Sequence, residues 1–490
     1  MTSMTDKLDE IDHIVVIMLE NRSFDHMLGF LYKDQNNRSP LDHPFEGLTG
    51  NERNIDSQGQ PIQVFPIPNN EYAYYWPGTD PGEGYSNTNS QLFGDYKTPS
   101  ANTPASNQGF VTDFAYTLNT HRKNNASSEA NWYIAEGTQP KNIMGMYTPE
   151  LLPVLSTLAR SYAVCDHWFC SVPTETLPNR AFVQMATSLG RLNDHDKVYD
   201  ATSIYNLLEH AQVPWAIYGY DSEPILTRQS LAALPPQPQY GKFGDFAAFK
   251  QAANSNQLAS YTFLAPEWGV NGNSQHPNYD VAKGEQLLLE IYQTLKNAPV
   301  WEKTLLIITY DEHGGCYDHV APPENAAQPA NCPDNLGFNF QRFGVRVPTV
   351  LVSPLIEAGT VFRTQSSTPL DHTSILSTVE KRFNLPSLTA RDAAAPHVGD
   401  VLTLASVRSD DPMAHVIAPS SSAKPPAENG KAEMGPDHLQ MAEAHLAGQL
   451  PIDKDYHSRY DTHFNTEAEA KEYTHAHYYG YYYNDRYRNR

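Results

Sequence analysis

Short runs that are apolar from end to end punctuate this chain, and two of them are followed at once by acidic side chains. Residues 11–19 read as a continuous buried strand, with Glu20-Asn21-Arg22-Ser23 directly after it. Residues 304–309 (Thr-Leu-Leu-Ile-Ile-Thr) form a second run, closed by Tyr310-Asp311-Glu312-His313-Gly314-Gly315, and residues 345–353 form a third. Runs without polar alternation suit strands covered on both faces, the situation of a mostly parallel sheet. Helical periodicity over 205–211, 284–297 and 373–383 lies between them. Strands alternating with helices predict an α/β fold, a central mostly parallel sheet sandwiched by helices. Ligands in such sheets collect beyond the carboxyl ends of the strands. Two strands that end in acids therefore mark where a site is expected.

With 490 residues the chain has room for a large core and an appendage. The reading divides it into a catalytic domain over 1–410, a Pro/Ser/Ala-rich linker over 411–438 and an extension over 439–490. The extension opens with a short helix over 439–447 and ends in a His- and Tyr-rich tail, 475–490. Between 46 and 109 periodicity gives way to Pro, Gly, Asn and aromatics, which predicts one long functional loop. A net charge of −22 disfavours nucleic acid as a partner and is compatible with divalent cations. No run approaches the ~20 apolar residues of a membrane span, and no export signal precedes the first strand. The expectation is a cytoplasmic protein, or one exported by a route that reads no N-terminal peptide. Four cysteines are too few for a disulfide framework in a chain this size, so buried thiols are expected, with a Cys316–Cys332 bridge as the alternative.

If the two acidic strand ends are neighbours, Glu20, Asn21, Asp311 and Glu312 converge, and crowded carboxylates call for a cation. A nucleophile candidate lies in Thr174-Glu175-Thr176-Leu177-Pro178-Asn179-Arg180. Pro178 fits the first turn of a helix running to Ala186, with Thr176 near its N-cap, where free backbone N–H groups suit a phosphoryl anion. Metal coordination would turn the Thr176 hydroxyl into an attacking alkoxide, and Arg180 would clamp a phosphate oxygen. His276, His319 and His372 sit in His-Pro and Asp-His pairs, as ligands, acids or plain polar loop residues.

Together these segments resemble the bacterial phosphoesterase family of phosphatidylcholine-type phospholipases C and related acid phosphatases, within the alkaline phosphatase superfamily. The stretches carrying the resemblance are His13–His26 (His-Ile-Val-Val-Ile-Met-Leu-Glu-Asn-Arg-Ser-Phe-Asp-His), Thr176-Leu-Pro-Asn-Arg180, His276-Pro, Tyr310-Asp-Glu-His-Gly-Gly-Cys-Tyr-Asp-His319, Gly344-Val-Arg-Val-Pro348 and Asp371-His-Thr-Ser374. The resemblance implies that Glu20, Asn21, Thr176, Asp311 and Glu312 surround a divalent metal, with zinc the first choice and one to three ions in all. It implies Thr176 as the nucleophile. His276, His319 and His372 are implied as substrate contacts or as ligands of further ions, and His372 is counted with the ligands. Sulfatases, whose nucleophile lies in a Cys/Ser-x-Pro-x-Arg setting of the same shape as Thr176-Leu-Pro-Asn-Arg180, are set aside because threonine cannot supply formylglycine.

The resulting expectation is a phospholipase C that cleaves phosphatidylcholine-like lipids to diacylglycerol and phosphocholine through a phosphothreonine. His276 or His319 would protonate the leaving group, and membrane contact would be transient. Tyr72, Tyr74, Tyr75, Trp76 and Tyr85 would either wall a choline site by cation–π attraction or simply pin the long loop. The alternatives are a phosphomonoesterase on the same site and a non-catalytic interaction protein. The His/Tyr tail, reaching back over the linker, would serve as a plug or lid of the active site, or engage a lipid interface.

Overall fold

The computed structural model describes residues 6–422, apart from 101, 128–131, 195–197, 221–230, 232, 234–241, 269–270, 278 and 330. The linker beyond 422, the helix expected at 439–447 and the His/Tyr-rich tail lie outside the described residues. Chain up to Pro419 packs on the domain: Met413 is buried in the main core, and Asp411 accepts a hydrogen bond from the Tyr292 hydroxyl at 2.9 Å.

The apolar runs do pair into one sheet. Its strands are β1 (His13–Leu19), β2 (Ala163–Val164), β3 (Trp215–Gly219), β4 (Phe243–Asp245), β5 (Tyr261–Ala265), β6 (Thr304–Tyr310), β7 (Val350–Val352) and β8 (Thr360–Val361). They stand in the order β8-β2-β7-β6-β1-β5-β3-β4. β1 is parallel to both of its neighbours, β5 and β6. Every β1 residue after His13 is buried, as is all of β6, so both faces of the sheet centre are covered and the unalternating composition is explained. Among the described residues, no helix is long and apolar enough to cross a membrane.

Helices α1 (Phe24–Leu28), α2 (Tyr85–Phe93), α3 (Phe110–Ser127), α4 (Pro153–Ser161), α5 (Thr176–Met185), α6 (Ile204–His210), α7 (Val281–Lys296) and α8 (Thr373–Phe383) occupy the connections. α4 packs against α7 and α5 against α8. Glu285 of α7 takes the orphan amides of Val154 and Leu155 at the start of α4, at 2.6 and 3.0 Å.

Two expectations need correction. The third apolar run is a strand only over Val350–Val352, and it lies antiparallel to β6. Pro348 has no N–H for a ladder, and the buried Arg346 spends its guanidinium on ion pairs instead. The stretch 46–109 is not one loop, since it holds the hairpin Arg53–Ile55/Pro61–Gln63 and all of α2. α2 escapes periodicity because most of what it buries is polar: Thr88, Asn89, Ser90 and Gln91. All four cysteines are buried free thiols, as favoured.

Arg346 ties distant parts of the chain together. Its guanidinium reaches Asp318 at 3.0 Å and Asp25 at 2.9 Å, and it donates to the carbonyls of Glu46 and Asp166. Removing one member of a buried ion pair strands the other charge, at a cost of about 3–5 kcal/mol. Arg346→Met should therefore lower the unfolding free energy by roughly that amount in denaturant titration. A loss below about 1 kcal/mol, the scale of an exposed pair, would show that the network is incidental.

Candidate active site

The register of β1 and β6 builds the site. His13 pairs with Thr304 and so on in step to Leu19 with Tyr310, so Glu20-Asn21 and Asp311-Glu312 leave the sheet side by side. The Asn21 amide donates to Asp311 Oδ1 at 2.9 Å across that junction. Asn21 turns there with φ of 53°, a left-handed conformation that asparagine tolerates better than most side chains. β5 pairs with the other edge of β1, and the chain beyond it reaches the Glu20 amide through the Ser274 carbonyl at 2.9 Å, two residues before His276.

Gly314 and Gly315 fold the β6 strand end back over this junction. Both have positive φ, 60° and 63°. A Cβ on Gly314 would overlap the Asn21 carbonyl oxygen, and one on Gly315 would crowd that of Gly82. Gly314→Ala combines a strained φ with backbone overlap at the acidic corner. It should lower metal retention measured after desalting and weaken thermal stability together. An unchanged variant would show that the corner has slack.

Thr176 is buried as the first residue of α5, and Glu175 is the N-cap. Its hydroxyl donates to Asn21 Oδ1 at 3.3 Å, while Asn21 Nδ2 donates to Glu83 Oε2 at 2.7 Å. Asn179 staples the preceding loop, bonding backbone groups of Val172, Thr174 and Glu175. The first-turn amides of α5 are not all left for a ligand, because Leu177 N–H donates to Asp194 at 2.8 Å. Arg180 pairs Nε with Asp311 Oδ2 at 2.9 Å, gives Nη2 to the carbonyls of Met18 and Leu19, and lies over Trp268 at 4.3 Å. Its first role is thus to hold the strand end. Only Nη1, buried and without a hydrogen-bond partner, is left for a phosphate oxygen.

Burial, followed by Asp311, pushes Glu312 well above the usual carboxylate range, and burial raises Asp311 despite Arg180. Glu312 Oε1 is buried with no hydrogen-bond partner. Asn21 joins Asp311 to Thr176, and the unpartnered buried oxygen of Glu312 has the chemistry of one arm of a divalent-cation cradle. Among the described residues, though, Glu20, Asp311 and Glu312 are not gathered as closely as the Asp80–Glu83–His276 and Asp25–Asp318–His319 groups.

The histidines separate. His372, expected among the ligands, has both ring nitrogens engaged in this structure. Its Nε2 donates to the Asp311 carbonyl at 2.6 Å and its Nδ1 accepts from Trp168 Nε1 at 3.4 Å, which uses both nitrogens. Burial lowers its pKa to about 4, and its Nε2 tethers the Asp311 carbonyl. His276 is joined by Asp80 and Glu83, one ligand atom of each lying within 4.8 Å of the others. His319 belongs to a different group with Asp25 and Asp318, and its Nδ1 lies 2.6 Å from Asp25 Oδ2. Burial opposes its charge, but Asp25 outweighs burial and lifts it to about 9. A histidine raised from 6.5 adds stability that is complete below 6.5 and lost as pH rises through about 9. Denaturant titrations across that window should show a decline that is absent in His319→Gln, and parallel profiles would remove the Asp25–His319 pair from the account.

Asp80, Glu83 and Asp194 escaped the sequence reading. Asp80-Pro-Gly-Glu83 lies in the stretch taken as one aromatic loop, where two acids three apart among turn residues were the available signal. The aromatics of that stretch do not form one wall. Tyr85 packs against Phe338, Tyr75 against Tyr133 and Trp76 edge-on to Phe65. Trp76 and Tyr72 instead line a separate pocket of about 540 Å³ with Phe65, Ile62 and Lys141.

Residues 11–386 match the Phosphoesterase family. The chain is similar to "Non-specific phospholipase C6" of Arabidopsis thaliana, 33% identical over 88% of this chain and 80% of that one. It is also similar to "Phospholipase C B" of Mycobacterium tuberculosis, at 29% over 80% and 77%. Among solved structures, an alkaline phosphatase superfamily protein from Vibrio parahaemolyticus aligns with a TM-score of 0.31 and 12% identity over 52% of this chain and 65% of that one, too loose a likeness to carry an argument.

Proposed function

Because this chain belongs to the Phosphoesterase family, we propose that its site is that of a phospholipase C, cleaving phosphatidylcholine-like lipids to diacylglycerol and phosphocholine. Relatives named as phospholipases C in a plant and a bacterium support that substrate class. The observation that carries the reading is the juxtaposition of the Thr176 hydroxyl with Asn21, beside a buried acidic corner and an uncommitted arginine nitrogen.

In this reading Thr176 Oγ1 attacks phosphorus, the bond to the diacylglycerol oxygen breaks, and a water then hydrolyses the phosphothreonine to phosphocholine. Asn21 Oδ1 orients the hydroxyl, and Arg180 Nη1 takes a phosphoryl oxygen. His276 or His319 would protonate the leaving oxygen; Asp25 keeps His319 protonated, whereas burial keeps His276 neutral. Glu20, Asn21, Thr176, Asp311 and Glu312 would hold a divalent cation, which when bound supplies Lewis-acid polarisation and a more acidic threonine hydroxyl. With His372 engaged elsewhere these donors are all oxygen, a set that favours a harder cation such as manganese or calcium over the zinc expected from the sequence.

Steady-state kcat/KM on a choline phosphodiester and on a simple phosphomonoester tests the substrate. Diester preference is expected, and monoester preference would turn the reading to a phosphatase. Thr176→Ala should lose on the order of 10⁴-fold in kcat, the scale of losing a covalent nucleophile. A loss of only a few-fold would remove Thr176 from the chemistry.

A further inference from the structure

α2 turns polar residues into the interior, and burying an amide is unfavourable unless its hydrogen bonds are made. Gln91, 1% exposed, makes three with its side chain, each to a different segment of chain. Its Nε2 donates to the Gly82 carbonyl at 2.6 Å and to Asp113 Oδ2 of α3 at 2.9 Å. Its Oε1 lies 2.7 Å from His313 Nε2. The Gly82 carbonyl can only accept, so the amide nitrogen faces it and the amide oxygen faces His313. His313 therefore carries its proton on Nε2 and donates it to Gln91. Asn87 Nδ2 holds the other oxygen of Asp113 at 3.1 Å, which fixes the clasp to α3.

The other two contacts of Gln91 end beside the site. Gly82 precedes Glu83, whose Oε2 takes Asn21 Nδ2 at 2.7 Å, and Asn21 Oδ1 takes the Thr176 hydroxyl. His313 follows Glu312, and its Nδ1 lies 3.2 Å from Glu312 Oε2. The imidazole is wholly buried and set edge-on to Phe110, with ring centroids 6.2 Å apart. Gly315 lies flush against the same clasp. A Cβ there would come within 2.5 Å of the Gly82 carbonyl oxygen and 3.2 Å of Gln91 Nε2. One side chain thus joins the segment that carries Glu83 to the segment that carries Glu312. The task needs a donor and an acceptor together; a carboxylate would lack the first and a methionine both.

We propose that Gln91 is a positioning residue for the reaction, setting the spacing between the Glu83–Asn21–Thr176 contacts and Glu312 without touching substrate. Its three side-chain bonds all go to protein groups, and the side chain is closed to solvent. The role rests on the phosphoester-cleaving reading of Thr176. Misplacing a reacting group by about 1 Å costs on the order of 10²-fold in rate, so the loss falls on kcat rather than on substrate binding.

Full-length Gln91→Met, similar in length but without either polar group, is compared with the wild type at saturating divalent cation on a choline phosphodiester and on a phosphomonoester. On whichever ester the wild type cleaves, kcat should fall about 10–100-fold while KM stays within about threefold. Gln91 and Glu83 share one line of contacts, so the Gln91→Met/Glu83→Ala double variant should fall short of the product of the two single losses by at least about fivefold. A kcat within about threefold of wild type, or losses that multiply in full, would overturn the role. Should Gln91→Met fold poorly by circular dichroism, nitrogen NMR of the wild-type histidines decides. His313 protonated on Nε2 supports the clasp, and His313 protonated on Nδ1 alone refutes it. Cleavage of neither ester by the wild type would sink the phosphoester reading, while the His313 tautomer would still decide whether the clasp exists.

Discussion

The parallel pairing of β1 with β6 is the constraint on which the rest depends. Because the two strands run in step to Leu19 and Tyr310, Glu20-Asn21 and Asp311-Glu312, almost three hundred positions apart, emerge as neighbours. A shift of one residue would turn every side chain to the opposite face and break the contacts that Asn21 and Arg180 make with Asp311. The Asn21 amide seals the junction on Asp311, and Arg180 closes it from α5 by holding that same carboxylate and the last carbonyls of β1. The His372 imidazole holds the Asp311 carbonyl from the start of α8. Three elements thus converge on one aspartate.

Packing so many acids together is unfavourable in a protein without cations at the site. Burial raises Asp311, Glu312, Asp80 and Glu83, and the last is raised further by Asp80 and Glu312. The arginines offset this only in part. Arg180 neutralises Asp311, Arg22 is turned to carbonyls, and Arg346 serves Asp25 and Asp318. The remaining negative charge is what a divalent cation would balance, leaving Arg180 Nη1 to meet an oxygen of a bound phosphodiester.

Much of this was legible in the sequence because it is written in contiguous signals. Apolar runs marked the sheet centre, the acids after them stand side by side at its end, and Pro178 marked the start of α5. The doubled glycine after His313 is part of the same acidic segment, and its left-handed turns explain why glycine stands at both positions. What escaped was written without periodicity. α2 hides because Thr88, Asn89, Ser90 and Gln91 line its buried face, and Asp80 and Glu83 hide among turn residues. The contacts of His372 were not legible, because an Asp-His pair does not reveal that a distant tryptophan and a backbone carbonyl engage both ring nitrogens. The span from 345 is apolar throughout, yet Pro348 keeps its first half out of the ladder and the strand begins only at Val350.

The central claim is a double displacement through Thr176 at the junction of β1 and β6. Stereochemistry at phosphorus tests it without depending on how long the covalent species lives. A phosphatidylcholine analogue made chiral at phosphorus with oxygen isotopes is hydrolysed, and the configuration of the phosphocholine is read by NMR. Two in-line displacements predict net retention. Net inversion would mean that water attacks the lipid directly, and would contradict a covalent role for Thr176.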